Sequence, residues 1–294
     1  VAPAVRVALG NMVGIPEGKD VSGLIFAALR KMGFDEVFDT SFGADITVLE
    51  ESKEFLERLK EGKRLPIITS CCPAWIQYCE KKHPELMENV STCRSPMEMF
   101  ASVIKEERQE RGKKLFHVAV MPCTAKKFEA QREEFLGKDG SRNVDAVITT
   151  DELTHMLKEA GILLNEIDPE PVDHPYDNAS GAAVIFGVTG GVTEAVLRNV
   201  VKDKSRSALL KLSNVGERGN EGLKIFELTT EDGVGLRIGV ASGLANAEKL
   251  LGMLKNGEKF DIIEIMACPG GCVAGGGQPF VHAEVRKTRG KGLY

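Results

Sequence analysis

The chain has 294 residues, 43% hydrophobic and 28% charged, and its 38 Lys and Arg against 43 Asp and Glu give a formal net charge of −5. That length can bury a sizeable core as one large domain or two lobes, and the composition is that of an ordinary soluble globular protein. No apolar run approaches the roughly 20 residues that span a bilayer, and no basic cluster is dense enough for nucleic acid, so both partners are set aside.

Strand-like and helix-like runs alternate along the sequence. Val5–Leu9 reads as a strand, Val21–Met32 as a helix, Glu36–Phe38 as a short strand, and about Ala44 to Glu61 as a long helix. Leu65–Ile68 is a buried strand, followed by a helix from Pro73 to about Lys82. Met97–Arg111 is helical with one charged side. Leu115–Val120 and Ala146–Thr149 are strands, and Asp151–Ala160 is a helix with Thr150 as its cap. Val184–Gly187 leads through Gly190 and Gly191 into a helix from about Val192. Leu236–Ala241 precedes a helix near Ala245–Leu254, and Phe260–Ile265 is the last strand. Asp168–Ala179 and Asn214–Glu221 read as surface loops. The alternation predicts an α/β fold with mostly parallel sheet in two lobes, approximately 1–112 and 113–294, flanked by helices.

Five of the seven cysteines fall in three short motifs. They are Thr69-Ser70-Cys71-Cys72-Pro73-Ala74-Trp75, Met121-Pro122-Cys123-Thr124-Ala125-Lys126-Lys127-Phe128-Glu129, and Glu264-Ile265-Met266-Ala267-Cys268-Pro269-Gly270-Gly271-Cys272 running on to Gly275-Gly276-Gly277-Gln278-Pro279. Each motif begins where a predicted strand ends, and ligands of such sheets sit outside the carboxyl ends of strands. The economical geometry is one site in the cleft between the lobes. An odd number of clustered thiols makes a poor disulfide framework, and soft thiolates gathered without histidine suit an iron–sulfur centre. Either pair alone is compatible with zinc, but zinc explains neither the glycines, the methionines nor the lysine. Cys79 and Cys93 read as small buried apolar residues. The five histidines show no ligand spacing, and Gly187-Val188-Thr189-Gly190-Gly191 lacks the Lys-Ser/Thr of a phosphate loop.

Taken together, the motifs resemble the three signatures of the catalytic domain of [FeFe]-hydrogenases, over nearly the whole chain. The resemblance implies reversible interconversion of dihydrogen with protons and electrons at an H-cluster. Cys72, Cys123, Cys268 and Cys272 match the four ligands of its [4Fe–4S] cubane, and Cys272 the ligand that bridges to a two-iron subcluster carrying carbonyl, cyanide and dithiolate. Lys126 matches the residue that pairs with one cyanide. Ala2, Pro3, Pro96, Met121, Phe186, Gly187 and Met266 match positions that line the cofactor pocket. Cys71 matches the thiol that passes protons to the dithiolate. Glu51, Glu54 and Arg58, which share one face of the Ala44–Glu61 helix, and Ser91 match the relay that feeds it; without the resemblance, those helix residues read as a salt-bridged solvated face.

The sequence also departs from the family's pattern. Met97 stands where many relatives carry glutamine, Ala4 where some carry serine, and Asp151 where an arginine is common. No ferredoxin-like cysteine clusters precede Val1, and the chain ends at Tyr294 where relatives continue into a small-subunit-like segment. Ferredoxin, accessory iron–sulfur domains or subunits, or a nicotinamide-linked complex are therefore the expected electron partners. Maturation proteins would build the two-iron subcluster, without which an apo or cubane-only form is expected. The thiols call for a reducing compartment, so the cytoplasm is expected, with a periplasmic setting left open by a first residue that is Val rather than Met. Two rivals are a non-catalytic iron–sulfur carrier of the cytosolic assembly type, which would need neither Cys71 nor Lys126, and a hydrogen-sensing module.

Overall fold

The computed structural model describes residues 1–112, 114–201, 222–229 and 233–294, so the loop expected over Asn214–Glu221 lies outside the described residues. Two sheets organise the molecule. In the larger, β1 (Ile67–Ile68), β6 (Ile262–Met266), β5 (Gly235–Ser242) and β4 (Leu223–Thr229) lie side by side in that order. β1 and β5 run parallel to β6, and β4 is an antiparallel edge. In the smaller, β2 (Val118–Met121) pairs in parallel with β3 (Ala146–Thr149). The architecture is the expected α/β, largely parallel and flanked by helices. The larger sheet draws β1 from before residue 112 and β4, β5 and β6 from after it, so the two sheets do not divide at that point in the chain.

Both faces of the larger sheet are covered, which is why β6 is buried along its whole length and reads as a continuous apolar run. On one face α3 (Ser41–Glu61) and α9 (Gly191–Val200) pack Phe55, Val196 and Leu197 against Ile67, Ile238 and Ile262. On the other, α4 (Pro73–Lys82) and α10 (Leu244–Lys255) bring Trp75, Cys79, Leu250 and Leu251 onto Ile68, Ile263 and Ile265. One polar residue interrupts β6. The Glu264 carboxylate accepts the Gly190 and Thr193 amides at 2.7 and 2.8 Å, satisfying two donors that the start of α9 leaves without helical partners.

Several local expectations change. Val5–Leu9 is not a strand: Pro3 opens a short helix, α1 (Pro3–Arg6), and a 3₁₀ turn follows at Leu9–Val13. A short buried apolar run has no period that separates the two, and a proline at the first helical position favours the helix. Glu36–Phe38 forms no ladder, although the Val1 amine donates to the Phe38 carbonyl at 2.8 Å. Val184–Gly187 belongs to α8 (Gly181–Val184) and a 3₁₀ turn. The cap of α7 (Thr150–Glu159) is Thr149, not Thr150; its hydroxyl accepts from Glu152 N while the Glu152 carboxylate accepts the Thr149 amide, a reciprocal capping box. Three further helices have the ranges α2 (Ser22–Lys31), α5 (Pro96–Glu110) and α6 (Ala125–Glu129). β4 and α11 (Ala283–Lys291) were not expected.

Candidate metal centre and proton relay

Three parallel strands end at the same place. β1 hands over to Cys71 and Cys72, β2 to Cys123, and β6 to Cys268. Two of the exits are fixed locally: Pro73 occupies the first position of α4, and Gly270 and Gly271 take φ of +93° and +90°, a region open to glycine but costly for other residues. The return loop from Cys272 then lies flat on the Pro122–Cys123 turn. Gly277 N donates to the Pro122 carbonyl at 2.9 Å, and a Cβ on Gly275 would stand 2.2 Å from that oxygen. The glycine triplet therefore serves a backbone-to-backbone approach that holds two of the cysteine segments together.

All the thiols are free. Cys72, Cys123, Cys268 and Cys272 lie within electrostatic reach of one another in all six pairings. Burial, reinforced by these neighbours, holds the Cys272 thiol well above its usual range and pushes Cys72 up to about 11. Among the described residues, however, no three Cys, His, Asp or Glu side chains converge as ligands of a single metal ion. Four mutually near thiols that do not meet at one point suit a polynuclear centre with one iron per sulfur. The Ala267 amide already donates to the Cys72 sulfur at 3.5 Å, as it would to a ligating thiolate.

The thiols open onto one cavity, walled mostly by apolar groups. Ala2, Pro3 and Ala4 close one side, Pro96, Met97 and Met121 another, and Phe186, Gly187 and Met266 a third. Among the described residues, Lys126 is the one cation in the lining. Its ammonium donates to Glu129 at 2.6 Å and to the Cys71 carbonyl at 3.3 Å. Desolvation works against that charge, but Glu129 outweighs it and Lys126 is held above its ordinary pKa.

Cys71 faces α3. It packs with Ala44 and Val48, and Glu51 is the next residue along that helix face. Glu51 is 1% exposed, and neither carboxylate oxygen has a well-formed hydrogen bond. Burial pushes it up to about 8, with the nearby Ser91 hydroxyl and Ser70 amide opposing only part of that effect. Ser91 is delivered by pairing at the edge of β1, where its amide donates to the Ile68 carbonyl at 2.7 Å. Its hydroxyl donates to Glu54 at 2.8 Å, and Arg58 donates to the other Glu54 oxygen at 2.5 Å. The Arg58 guanidinium also serves the Arg64, Asn89 and Val90 carbonyls. This face of α3 is thus buried rather than solvated; it carries Glu51, Glu54 and Arg58, with Cys71 and Ser91 set against it from the β1 side. Cys79 is buried as expected, whereas Cys93 is only partly so and places its sulfur 3.9 Å from Glu54.

Comparison with known proteins decides the family. The profile described as "Iron only hydrogenase large subunit, C-terminal domain" matches residues 1–276. The chain belongs to the iron-only hydrogenase large-subunit family. It is 45% identical, over 100% of its length, to the NADP-reducing hydrogenase subunit HndD of Solidesulfovibrio fructosivorans. It is also 34% identical, over 88% of its length, to the cytosolic iron-sulfur assembly component 3 of Mus musculus. It covers 52% and 57% of those two proteins, so it spans about half the length of the curated relatives it matches. A solved [FeFe]-hydrogenase from Chlamydomonas reinhardtii superposes with a TM-score of 0.83 at 37% identity, covering 100% of this chain and 82% of that one. Family membership supports an iron–sulfur cofactor, which the four-thiol arrangement fits, and a hydrogen-related function. Among the described residues no helix is long and apolar enough to cross a membrane.

Sequence reading overlooked two features of this hydrogenase domain. Glu98 and Glu264 are both buried carboxyls raised to about 7, chiefly by desolvation. Glu98 sits on a helix whose charged residues are common enough to hide it, and Glu264 sits inside a motif read for its cysteines.

Proposed function

We propose that this chain interconverts dihydrogen with protons and electrons, with Cys72, Cys123, Cys268 and Cys272 holding the cubane of an H-cluster and Cys272 bridging to its two-iron part. When bound, that group would supply the site where hydrogen is split and a reservoir for electrons. The chain supplies the surroundings. The walls from Ala2–Pro3, Pro96, Met121, Phe186–Gly187 and Met266 keep the pocket largely dry, which strengthens every charge interaction inside it. Lys126, fixed as an ammonium by Glu129, offers a cation to anionic cofactor ligands.

The observation that carries the reading is the buried series from Arg58 to Cys71. A carrier of iron–sulfur clusters has no use for an acid at about 8 behind its ligand thiols, whereas a proton relay needs a group poised near neutrality. Glu51, held as an acid by burial, gives its proton toward the Cys71 thiol and recovers one from Glu54 through the Ser91 hydroxyl. Arg58 fixes Glu54 at the outer end. Electrons would come from ferredoxin or from accessory iron–sulfur domains or subunits. A nicotinamide-linked complex is supported by the likeness to a subunit named as NADP-reducing. Maturation proteins would install the two-iron part, and the thiols call for a reducing setting, the cytoplasm, with the periplasm as the alternative.

Infrared spectroscopy of anaerobic protein, reconstituted with iron and sulfide and then treated with a synthetic two-iron precursor, tests this. Carbonyl and cyanide bands that change under hydrogen are expected. Protein that acquires a cubane but never those bands would instead be a cluster carrier, like its assembly-type relative.

A further inference from the structure

Behind Lys126 lies a group for which the relay has no use. Glu98, in the first turn of α5, is 1% exposed, and neither of its carboxyl oxygens has a well-formed hydrogen bond, the Asn143 side chain being its nearest donor. It immediately follows Pro96 and Met97, both of which line the cofactor cavity. Four side chains face it. Glu129 and Lys126 approach from α6, Arg94 from the turn ahead of α5, and Asn143 from the stretch before β3. Arg94 is turned aside, with its guanidinium over the Phe135 ring. Glu129 is itself 3% exposed and accepts from Lys126 at 2.6 Å and from the Ser95 hydroxyl at 3.0 Å.

The charges in this buried group do not balance if every member ionises. One ammonium, already bonded to Glu129, cannot fully compensate two buried carboxylates. Two carboxyls that share a confined site separate their roles, one staying ionised and the other keeping its proton. Glu129 has the ammonium and a hydroxyl donor, so it is the ionised member. Glu98 has neither.

We propose that Glu98 is the protonated half of a Glu98–Glu129 carboxyl pair that keeps Lys126 an ammonium directed into the cofactor pocket. Glu98 is then a positioning residue, acting on the cofactor's anionic ligands through Lys126; that last step rests on the reading of Lys126 given above. Losing the proton places a second negative charge beside the ion pair. It draws the ammonium toward α5 and away from the pocket, so the field at the cofactor changes as Glu98 titrates near neutrality.

Two measurements separate this from the hydrogenase reading. In cluster-free protein, infrared difference spectra between about pH 5.5 and 8.5, an interval that brackets the value of about 7 for Glu98, should show loss of a protonated-carboxyl band. Glu98→Gln should lack that component, and Glu129→Gln should move it to lower pH by removing the like charge. In matured protein the cyanide bands should shift over the same interval in wild type, and Glu98→Gln should lose the part of that shift centred near 7 while keeping what Glu51 contributes near 8. A Glu98→Gln difference spectrum identical to wild type overturns the carboxyl pair. Cyanide bands with no shift centred near 7, with the carboxyl component present, overturn the link to Lys126. Absence of cyanide bands altogether counts against the hydrogenase reading, while the cluster-free spectra still decide the pair.

Discussion

Replacing Glu51 by glutamine isolates the physical feature that makes a relay of an otherwise ordinary helix face. The carboxyl moves from 4.5 in the unfolded chain to about 8 when buried. The folded protein therefore binds more protons than the unfolded one between those values, and stability falls as pH rises through that window. For a single group the loss integrates to about 2 kcal/mol by pH 6 and about 4 kcal/mol by pH 8. Glutamine has nearly the shape of the protonated acid and never ionises, so Glu51→Gln should be more stable than wild type by amounts that grow across this range. Urea unfolding of cluster-free protein under reducing conditions, at several pH values, measures the difference. The contribution from Glu98 cancels in the subtraction, while Glu264, within electrostatic reach of Glu51, cancels only in part. The same variant, matured, should lose turnover about 10²-fold or more, the scale of a lost proton-transfer group. A stability difference that does not vary with pH would refute the claim that Glu51 is held as an acid by burial.

Other substitutions probe the scaffold around the site. Arg58→Ala removes a buried guanidinium from Glu54 and from three backbone carbonyls; the expected cost is about 3 kcal/mol by chemical denaturation. Gly275→Ala would press a methyl group against the Pro122 carbonyl. It should cost about 1–3 kcal/mol and reduce iron retained on reconstitution, because it separates the Cys272 and Cys123 segments. Alanine at Cys72, Cys123, Cys268 or Cys272 should abolish the iron–sulfur absorption. Cys79→Ala should keep it, at about 1 kcal/mol in stability. Absorption retained in two or more of the four single variants would contradict the ligand set.

Much of the fold was legible because the site lies where strand ends are easiest to read. β2 stops at Pro122 beside Cys123, β6 runs through Ala267 to Cys268-Pro269, and α3 carries a pattern long enough to be periodic. The failures are equally physical. Val5–Leu9, apolar but for Arg6, and Val184–Gly187 are short, mostly buried stretches for which helix and strand leave the same trace. α11 has no apolar stripe, so the periodic signal that reveals most surface helices is missing from its Arg- and Lys-rich sequence. The ligand cysteines announce themselves by type and spacing, but Glu51, Glu54 and Arg58 do not. A buried relay and a solvated salt-bridged face share one sequence pattern, and only packing of α3 beneath Cys71 and pairing of Ser91 beside β1 distinguish them. Glu98 left no signal, since its role depends on α6 lying against it.

In the proposed function Cys71 is the inner end of the buried relay, at the cofactor pocket. Exchange of dihydrogen with heavy water, followed by mass spectrometry on matured wild type and on Cys71→Ala, tests it with the infrared bands as a control for cofactor loading. Wild type should form HD and D₂ rapidly, and Cys71→Ala should keep its carbonyl and cyanide bands while exchange falls about 10²-fold or more. Undiminished exchange in a fully loaded Cys71→Ala protein would contradict the account.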